Sequence, residues 1–331
     1  MNILIPDTIF TDDHAIERAA AAPLEIDIGD ARKPADLTAD TWSGADALVA
    51  HHLMRYDETV AELAVNARIL VRVGVGVDNV DLAVWTARGV PVCNVPDYGT
   101  GEVADHALAL VLSLFRGTVA YHGRILNLPG DTAFDRMPIP SPVRRIAGLN
   151  CLVVGYGAIG RAFADRARAL GMTIGFYDPD IAPGSWDVTQ IHRFSTLEEG
   201  LAVADVVSLH LPLTEQTSAL IGAKTLAAMK PDAALINTAR GGLVDTDAVA
   251  DALQAGSLGG VGLDVFPTEP LPANDRLLTA LKSHEDWARD RVAITPHIGG
   301  VSPQSLEELR RRAVETARDF LIDGTLANRI A

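Results

Sequence analysis

The sequence predicts two doubly wound α/β units built on parallel sheets, and three observations carry the prediction. At 331 residues the chain exceeds one average domain. Short β-rich runs alternate with helical segments along most of its length, the pattern of a parallel sheet covered on both faces. A glycine-rich turn, Gly155-x-Gly157-x-x-Gly160, joins one of those strands to a helix.

In the first stretch, strands are predicted at Asn2–Ile5, Leu24–Ile28, Ala45–Ala50, Ile69–Val73 and Val90–Cys93, with helices such as His14–Ala21 and Glu58–Asn66 between them. Gly101–Arg116 then carries Val103, Ala107, Leu110, Val111 and Leu114 at helical spacing, which suits a buried helix linking the two units. Residues 121–148 hold four prolines between Pro129 and Pro142 and read as a long surface excursion. A second run of strands follows at Asn150–Val154, Thr173–Tyr177, Asp205–His210, Ala233–Asn237, Gly260–Val265 and Val292–Thr295. An amphipathic helix, Gln304–Leu321, comes last.

Hydrophobic residues make up 48% and charged residues 21%, a globular balance able to bury a large core. Cys93 and Cys151 lie in apolar strand-like runs without metal-ligand spacing, so buried thiols in a reducing compartment are expected, with neither disulfide nor metal site. The N-terminus enters a strand with no signal-peptide pattern, and no stretch of about 18 apolar residues suits a membrane. A cytoplasmic protein is expected. The net charge of −15 disfavours nucleic acid as a partner, and an anionic ligand would need a local positive site.

The glycine turn reads NCLVVGYGAIG over residues 150–160. The first glycine permits a tight turn, the second lets backbone approach a pyrophosphate, and the third allows close helix–strand packing. The helix N-terminus behind it offers free N–H donors. The next strand ends in Asp178, 23 residues after Gly155, where a carboxylate can accept from the adenosine ribose hydroxyls. No arginine occurs nearby in sequence until Arg193 to receive a 2′-phosphate, which favours NAD over NADP.

Arg240, Glu269 and His297 stand just beyond the ends of three consecutive predicted strands, the edge where open parallel sheets bind ligands. Hydride transfer to a carbonyl needs a proton donor and a cation to polarise the oxygen. His297, with Gly299 and Gly300 behind it, is the acid/base candidate. Glu269 would hydrogen-bond the imidazole and favour its protonated form. Arg240 offers a fork that fits a carboxylate or a polarised carbonyl. Singly, each has an ordinary alternative: a loop cap, a surface charge, a partner for Asp245. In the first stretch, the turn through Val75 and Gly76 reads equally as an anion nest or as a plain turn.

These segments together resemble the D-isomer-specific 2-hydroxyacid dehydrogenase family. They are RVGVGVDNVDL (72–82), NVPDYGTGEVADHALAL (94–110), LVVGYGAIGR (152–161), NTARGGLVD (237–245), GLDVFPTEP (262–270) and TPHIGG (295–300). The resemblance covers nearly the whole chain. It implies a flavodoxin-like substrate domain formed by residues 1–99 and 299–331, a Rossmann domain over 100–298, and a homodimer. By it, Arg240, Glu269 and His297 are the catalytic residues, and Val75 and Gly76 join Arg240 and His297 in holding substrate. Asp264 would meet the nicotinamide carboxamide, and Thr238 and Ala239 would line the cleft. Ala158, Ile159, His210, Leu211, Pro212, Thr217 and Gly299 would complete the cofactor site.

Within the family, the 121–148 stretch and the C-terminal third look closest to the branch of the C-terminal-binding-protein corepressors. The chain departs from that branch at His297-Ile-Gly-Gly and in a longer Lys282–Arg291 segment. The chain stops shortly after its last helix, so the regulatory extension of long phosphoglycerate dehydrogenases is not expected. The activity implied is NAD-linked interconversion of a small 2-oxo acid and a D-2-hydroxy acid. An NAD-sensing dimeric binding protein and oxidation of a non-carboxylate anion stand as alternatives.

Overall fold

The computed structural model describes residues 1–127, 139–182, 184 and 191–331. Two compact units divide the chain, Met1–Gly99 with Val301–Ala331, and Thr100–Gly300.

The first unit holds β1 (Asn2–Ile5), β2 (Glu25–Ile28), β3 (Ala47–Ala50), β4 (Leu70–Arg72) and β5 (Val92–Cys93) in the order β2-β1-β3-β4-β5. Every pairing is parallel. This is the flavodoxin-like doubly wound order. Successive strand side chains point to opposite faces, so both faces must be covered. Ile3, Ile5, Val49 and Val71 face α1 (Ala15–Ala21) and the C-terminal helix, whose contributions include Ala20, Leu309, Ala313 and Val314. Leu4, Leu48 and Leu70 face the other layer, formed by α2 (Ala39–Ser43), α3 (Glu58–Leu63) and α4 (Leu82–Ala87) with Trp42, Val60 and Trp85.

The second unit begins with α5 (Thr100–Phe115) and α6 (Thr118–Asn127). Its sheet comprises β6 (Asn150–Val154), β7 (Thr173–Tyr177), β8 (His192–Arg193), β9 (Val206–Leu209), β10 (Ala234–Asn237), β11 (Gly260–Leu263) and β12 (Val292–Ile294). The order is β12-β11-β10-β9-β6-β7-β8, all parallel, which is the Rossmann arrangement with its switch point between β6 and β9. One face packs on α5 and α7 (Ala158–Ala169) through Ala107, Leu110, Val111, Phe163 and Ala167. The other packs on α8 (Leu197–Val203), α9 (Ala223–Leu226), α10 (Thr246–Gln254), α11 (Arg276–Lys282) and α12 (Asp286–Arg289). The chain then re-enters the first unit as α13 (Pro303–Asp323).

The structure departs from expectation at four local points. The surface excursion expected over 121–148 begins as helix: Gly117 at φ 64° ends α5, and the Tyr121 N–H bonds the Gly117 carbonyl to open α6. Residues 128–138 lie outside those described. The helix expected to reach Asn66 stops at Leu63, with Ala64 capping it by an N–H bond to the Val60 carbonyl. Strand β8 escaped prediction because its two residues are too few to show alternation. The change of unit falls after Gly300 and not after residue 298, because the Ile298 and Gly299 N–H groups are tied to Asp264.

Candidate active site

Gly155 leaves β6 at φ 89°, a conformation open to glycine, and a Cβ there would lie 2.5 Å from the His210 carbonyl oxygen. Gly157 caps α7 and has nothing within 4 Å of where its Cβ would stand, so open space lies in front of the helix N-terminus at Ala158 and Ile159. A Cβ on Gly160 would overlap the Gly155 carbonyl. The Tyr156 N–H donates to Asp178 Oδ2 at 2.8 Å, so the carboxylate ending β7 also shapes the glycine loop. Asp178 Oδ1 accepts from the Asp180 N–H at 2.9 Å, so the carboxylate also caps its own loop. Arg193, remote in sequence, is brought alongside by β8, and its guanidinium donates to the Asp178 carbonyl at 3.0 Å. The expectation that no arginine stands near Asp178 is therefore corrected.

Two buried polar atoms at the same sheet edge have no partner among the described residues: His210 Nδ1, past β9, and Thr238 Oγ1, past β10. Burial pushes the His210 imidazole down to about 3, and its Nε2 lies 2.8 Å from Ser208 Oγ. A buried polar atom without a partner costs about 1–3 kcal/mol, so such atoms fit a site completed by a ligand. The open helix terminus and these two atoms together suit a dinucleotide. Leu211 packs beside the Gly155 turn. Thr217 instead staples its own loop, accepting from the Thr214 N–H at 2.7 Å and donating to the Pro212 carbonyl at 2.8 Å. Ala239 is held by its N–H bond to Asn237 Oδ1 at 3.0 Å.

The register pairs Asn237 with Leu263 and Leu263 with Ile294, so the loops carrying Arg240, Glu269 and His297 leave adjacent strands side by side. A Cβ on Gly241 would overlap the Phe266–Pro267 backbone, which presses the Arg240 loop against the Glu269 loop. Glu269 Oε1 accepts from the Phe266 N–H at 2.8 Å, and its Oε2 lies 2.7 Å from His297 Nδ1. A carboxylate only accepts, so Nδ1 donates and Nε2 is left to face outward. The His297 side chain is 55% exposed, accessible to a substrate. Arg240 Nη1 donates to the Ala239 carbonyl at 2.7 Å, which orients its guanidinium.

His297 sits at φ 54°, a left-handed conformation that costs a non-glycine residue about 1–3 kcal/mol unless its surroundings impose it. Asp264, 1% exposed, supplies that constraint. Its carbonyl accepts from the His297 N–H at 2.7 Å, and its carboxylate accepts from the N–H groups of Ile298 at 2.9 Å and Gly299 at 2.7 Å. Burial raises the Asp264 carboxyl, but hydrogen bonds from His106, Thr295, Ile298 and Gly299 outweigh it and hold it below the usual carboxylate range. Sequence reasoning missed His106 and Thr295, because the helical spacing of α5 marks its buried face and not a hydrogen bond to a loop 189 positions away.

In the first unit, Val75 and Gly76 occupy the turn after β4. Among the described residues neither N–H donates to a protein acceptor, while the Val75 carbonyl accepts from Asn94 Nδ2 at 2.7 Å.

A Rossmann sheet with this glycine cradle defines a dinucleotide-binding domain. The chain belongs to the D-isomer-specific 2-hydroxyacid dehydrogenase family, whose NAD-binding domain profile matches residues 108–299. It is 36% identical over 274 residues to D-3-phosphoglycerate dehydrogenase of Mycobacterium tuberculosis, matching 83% of this chain and 49% of that protein, so it spans about half that relative's length. Glycerate dehydrogenase of Methylorubrum extorquens is 32% identical, covering 84% of this chain and 83% of that one. Among solved structures, D-lactate dehydrogenase of Aquifex aeolicus, complexed with NAD and lactic acid, superposes with a TM-score of 0.82 at 28% identity, covering 98% of this chain and 96% of that one. Among the described residues no single helix is long and apolar enough to cross a membrane.

Proposed function

We propose that this chain catalyses the reversible NADH-linked reduction of a small 2-oxo acid to a D-2-hydroxy acid. The observation that carries the reading is the 2.7 Å bond between His297 and Glu269 on a loop adjacent to that of Arg240. NADH, when bound, would supply a hydride for the carbonyl carbon. The glycine loop, Asp178, His210 and Thr238 hold the dinucleotide in this reading. Arg240 grips the carboxylate and polarises the carbonyl, and His297 Nε2 gives the oxygen its proton as the C=O π electrons move onto it. Glu269 keeps the imidazole oriented and offsets its positive charge. Within the first unit, the Val75 and Gly76 N–H groups form an anion nest.

The Asp178 carboxylate, which a 2′-phosphate would face as a like charge, supports NAD, whereas the Arg193 guanidinium beside it could receive that phosphate; a comparison of NADH with NADPH turnover decides between them. A homodimer in the cytoplasm completes the proposal. Cys93 and Cys151 are buried thiols, pushed up by burial to about 11 and about 12. An NADH-oxidation assay with glyoxylate, hydroxypyruvate, pyruvate and longer 2-oxo acids tests the activity. Turnover of at least one is expected, and none at all with NADH binding intact overturns it.

A further inference from the structure

Three successive amides, those of His297, Ile298 and Gly299, are hooked onto Asp264, so the direction of the imidazole depends on where that carboxylate is held. The Thr295 hydroxyl reaches Asp264 Oδ1 at 2.6 Å, and His106 Nε2 lies 2.8 Å from the same hydroxyl oxygen. A hydroxyl has one hydrogen, and the carboxylate, acceptor only, takes it. Thr295 therefore accepts from His106, and Nε2 must carry a hydrogen. That nitrogen is also 3.5 Å from Asp264 Oδ1, so its positive edge faces the anion. The His106 ring further lies under Gly299, where a Cβ would come 3.6 Å from its Cδ2 and 2.8 Å from Asp264 Oδ2. His106 itself stands on α5, the long helix packed under β10, β11 and β12. A chain of hydrogen bonds thus links the helix to the left-handed His297: His106 donates to Thr295, Thr295 donates to Asp264, and Asp264 accepts from the loop amides.

We propose that His106 and Thr295 are positioning residues for the reduction, acting through Asp264 to fix the direction in which His297 presents its proton. The proposal rests on the reading of His297 as proton donor. Neither residue touches substrate; misdirection of the imidazole by a fraction of an ångström is what their loss would cause. Such an effect belongs to the transition state, so it falls on kcat and leaves ground-state binding nearly alone.

The test uses the full chain with Thr295→Val, which keeps the side-chain shape, with His106→Leu, with His106→Gln, and with the Thr295→Val/His106→Leu pair. Turnover of the 2-oxo acid accepted by the unmodified chain is normalised to NADH sites counted by fluorescence titration. Each of Thr295→Val and His106→Leu is expected to lower kcat about 10- to 100-fold with both KM values within about twofold. The pair should lose no more than the worse single variant, because both act along one path. His106→Gln, which retains a donor, should recover most of kcat. Amide hydrogen exchange at Ile298 and Gly299 should quicken in Thr295→Val, a readout independent of turnover. Unchanged kcat per site in both single variants, losses confined to KM, or losses that multiply in the pair would each overturn the proposal. If His297→Ala itself keeps full turnover, the assignment of the proton donor fails instead. Where His106→Leu fails to bind NADH, the shape-preserving Thr295→Val carries the test.

Discussion

The carboxyl ends of the two sheets treat their polar groups differently. Past β9 and β10, His210 Nδ1 and Thr238 Oγ1 are buried without a protein partner, and past β12 His297 stands exposed in a strained backbone. Past β1, Asp7 is buried but accepts from the His51 and Leu53 N–H groups, each at 2.9 Å, and from the Tyr56 hydroxyl. Arg310 of α13, 6% exposed, makes paired bonds to both Asp12 and Glu17 and lies over the Phe10 ring. One edge leaves hydrogen-bonding capacity and strain unsettled, as a site completed by ligand must. Past β1 the first unit consumes its capacity within the fold and so makes a stiff frame, while after β4 its Val75 and Gly76 amides stay open.

The largest effect expected is on the unsettled edge. His297→Ala should lower kcat about 10²- to 10⁴-fold while NADH affinity stays near that of the unmodified chain, since only proton transfer is removed. Steady-state kinetics with a parallel NADH titration measure both, and equal losses in the two would mean that the imidazole is part of the cofactor site's structure. On the settled edge, Arg310→Met strands Glu17, 2% exposed, as a buried charge. Urea denaturation should show a loss of about 3–5 kcal/mol. Turnover per folded molecule should hardly move. A stable Arg310→Met protein with poor turnover would invert the comparison.

Gly155→Ala sharpens the contrast from the cofactor side. Its Cβ must displace the His210 carbonyl at a left-handed φ, so calorimetry should find NADH binding weaker by about tenfold or more. The smallest effect is on pH dependence. Burial, aided by nearby His52, Arg72, Arg310 and His14, pushes His51 from 6.5 down to about 3, and burial alone does the same to His210. Between those values the unfolded chain binds the extra protons, so this stability is present above pH 6.5 and drains away as pH falls toward 3. Each group contributes at most about 1.4 kcal/mol per pH unit. Unfolding midpoints at pH 7 and pH 5 should draw closer together in His51→Asn and in His210→Asn; a gap as wide as before in both would show that other groups govern the acid limb.

Much of this was legible in the residues themselves. Strand alternation and the glycine turn were enough for both sheets, because parallel strands buried on two faces need apolar side chains on each. Arg240, Glu269 and His297 were visible because each follows an apolar run that ends at one sheet edge. The start of α6 was hidden by the prolines downstream of it, and the strand partner of β7 by its own brevity. Arg193 was misjudged because distance along the chain stood in for distance in space.

What the sequence by itself determined is the alternation, the turns and the residue types at the strand ends, all of them local properties of neighbouring side chains. Only the tertiary structure decided that Gly241 must yield to the Phe266 backbone, that Arg193 meets the Asp178 carbonyl, and that His106 reaches across to Thr295 and Asp264. Those contacts join residues from 15 to 189 positions apart. No local propensity encodes such pairings; they exist because burial of the two sheet faces fixes which loop ends become neighbours.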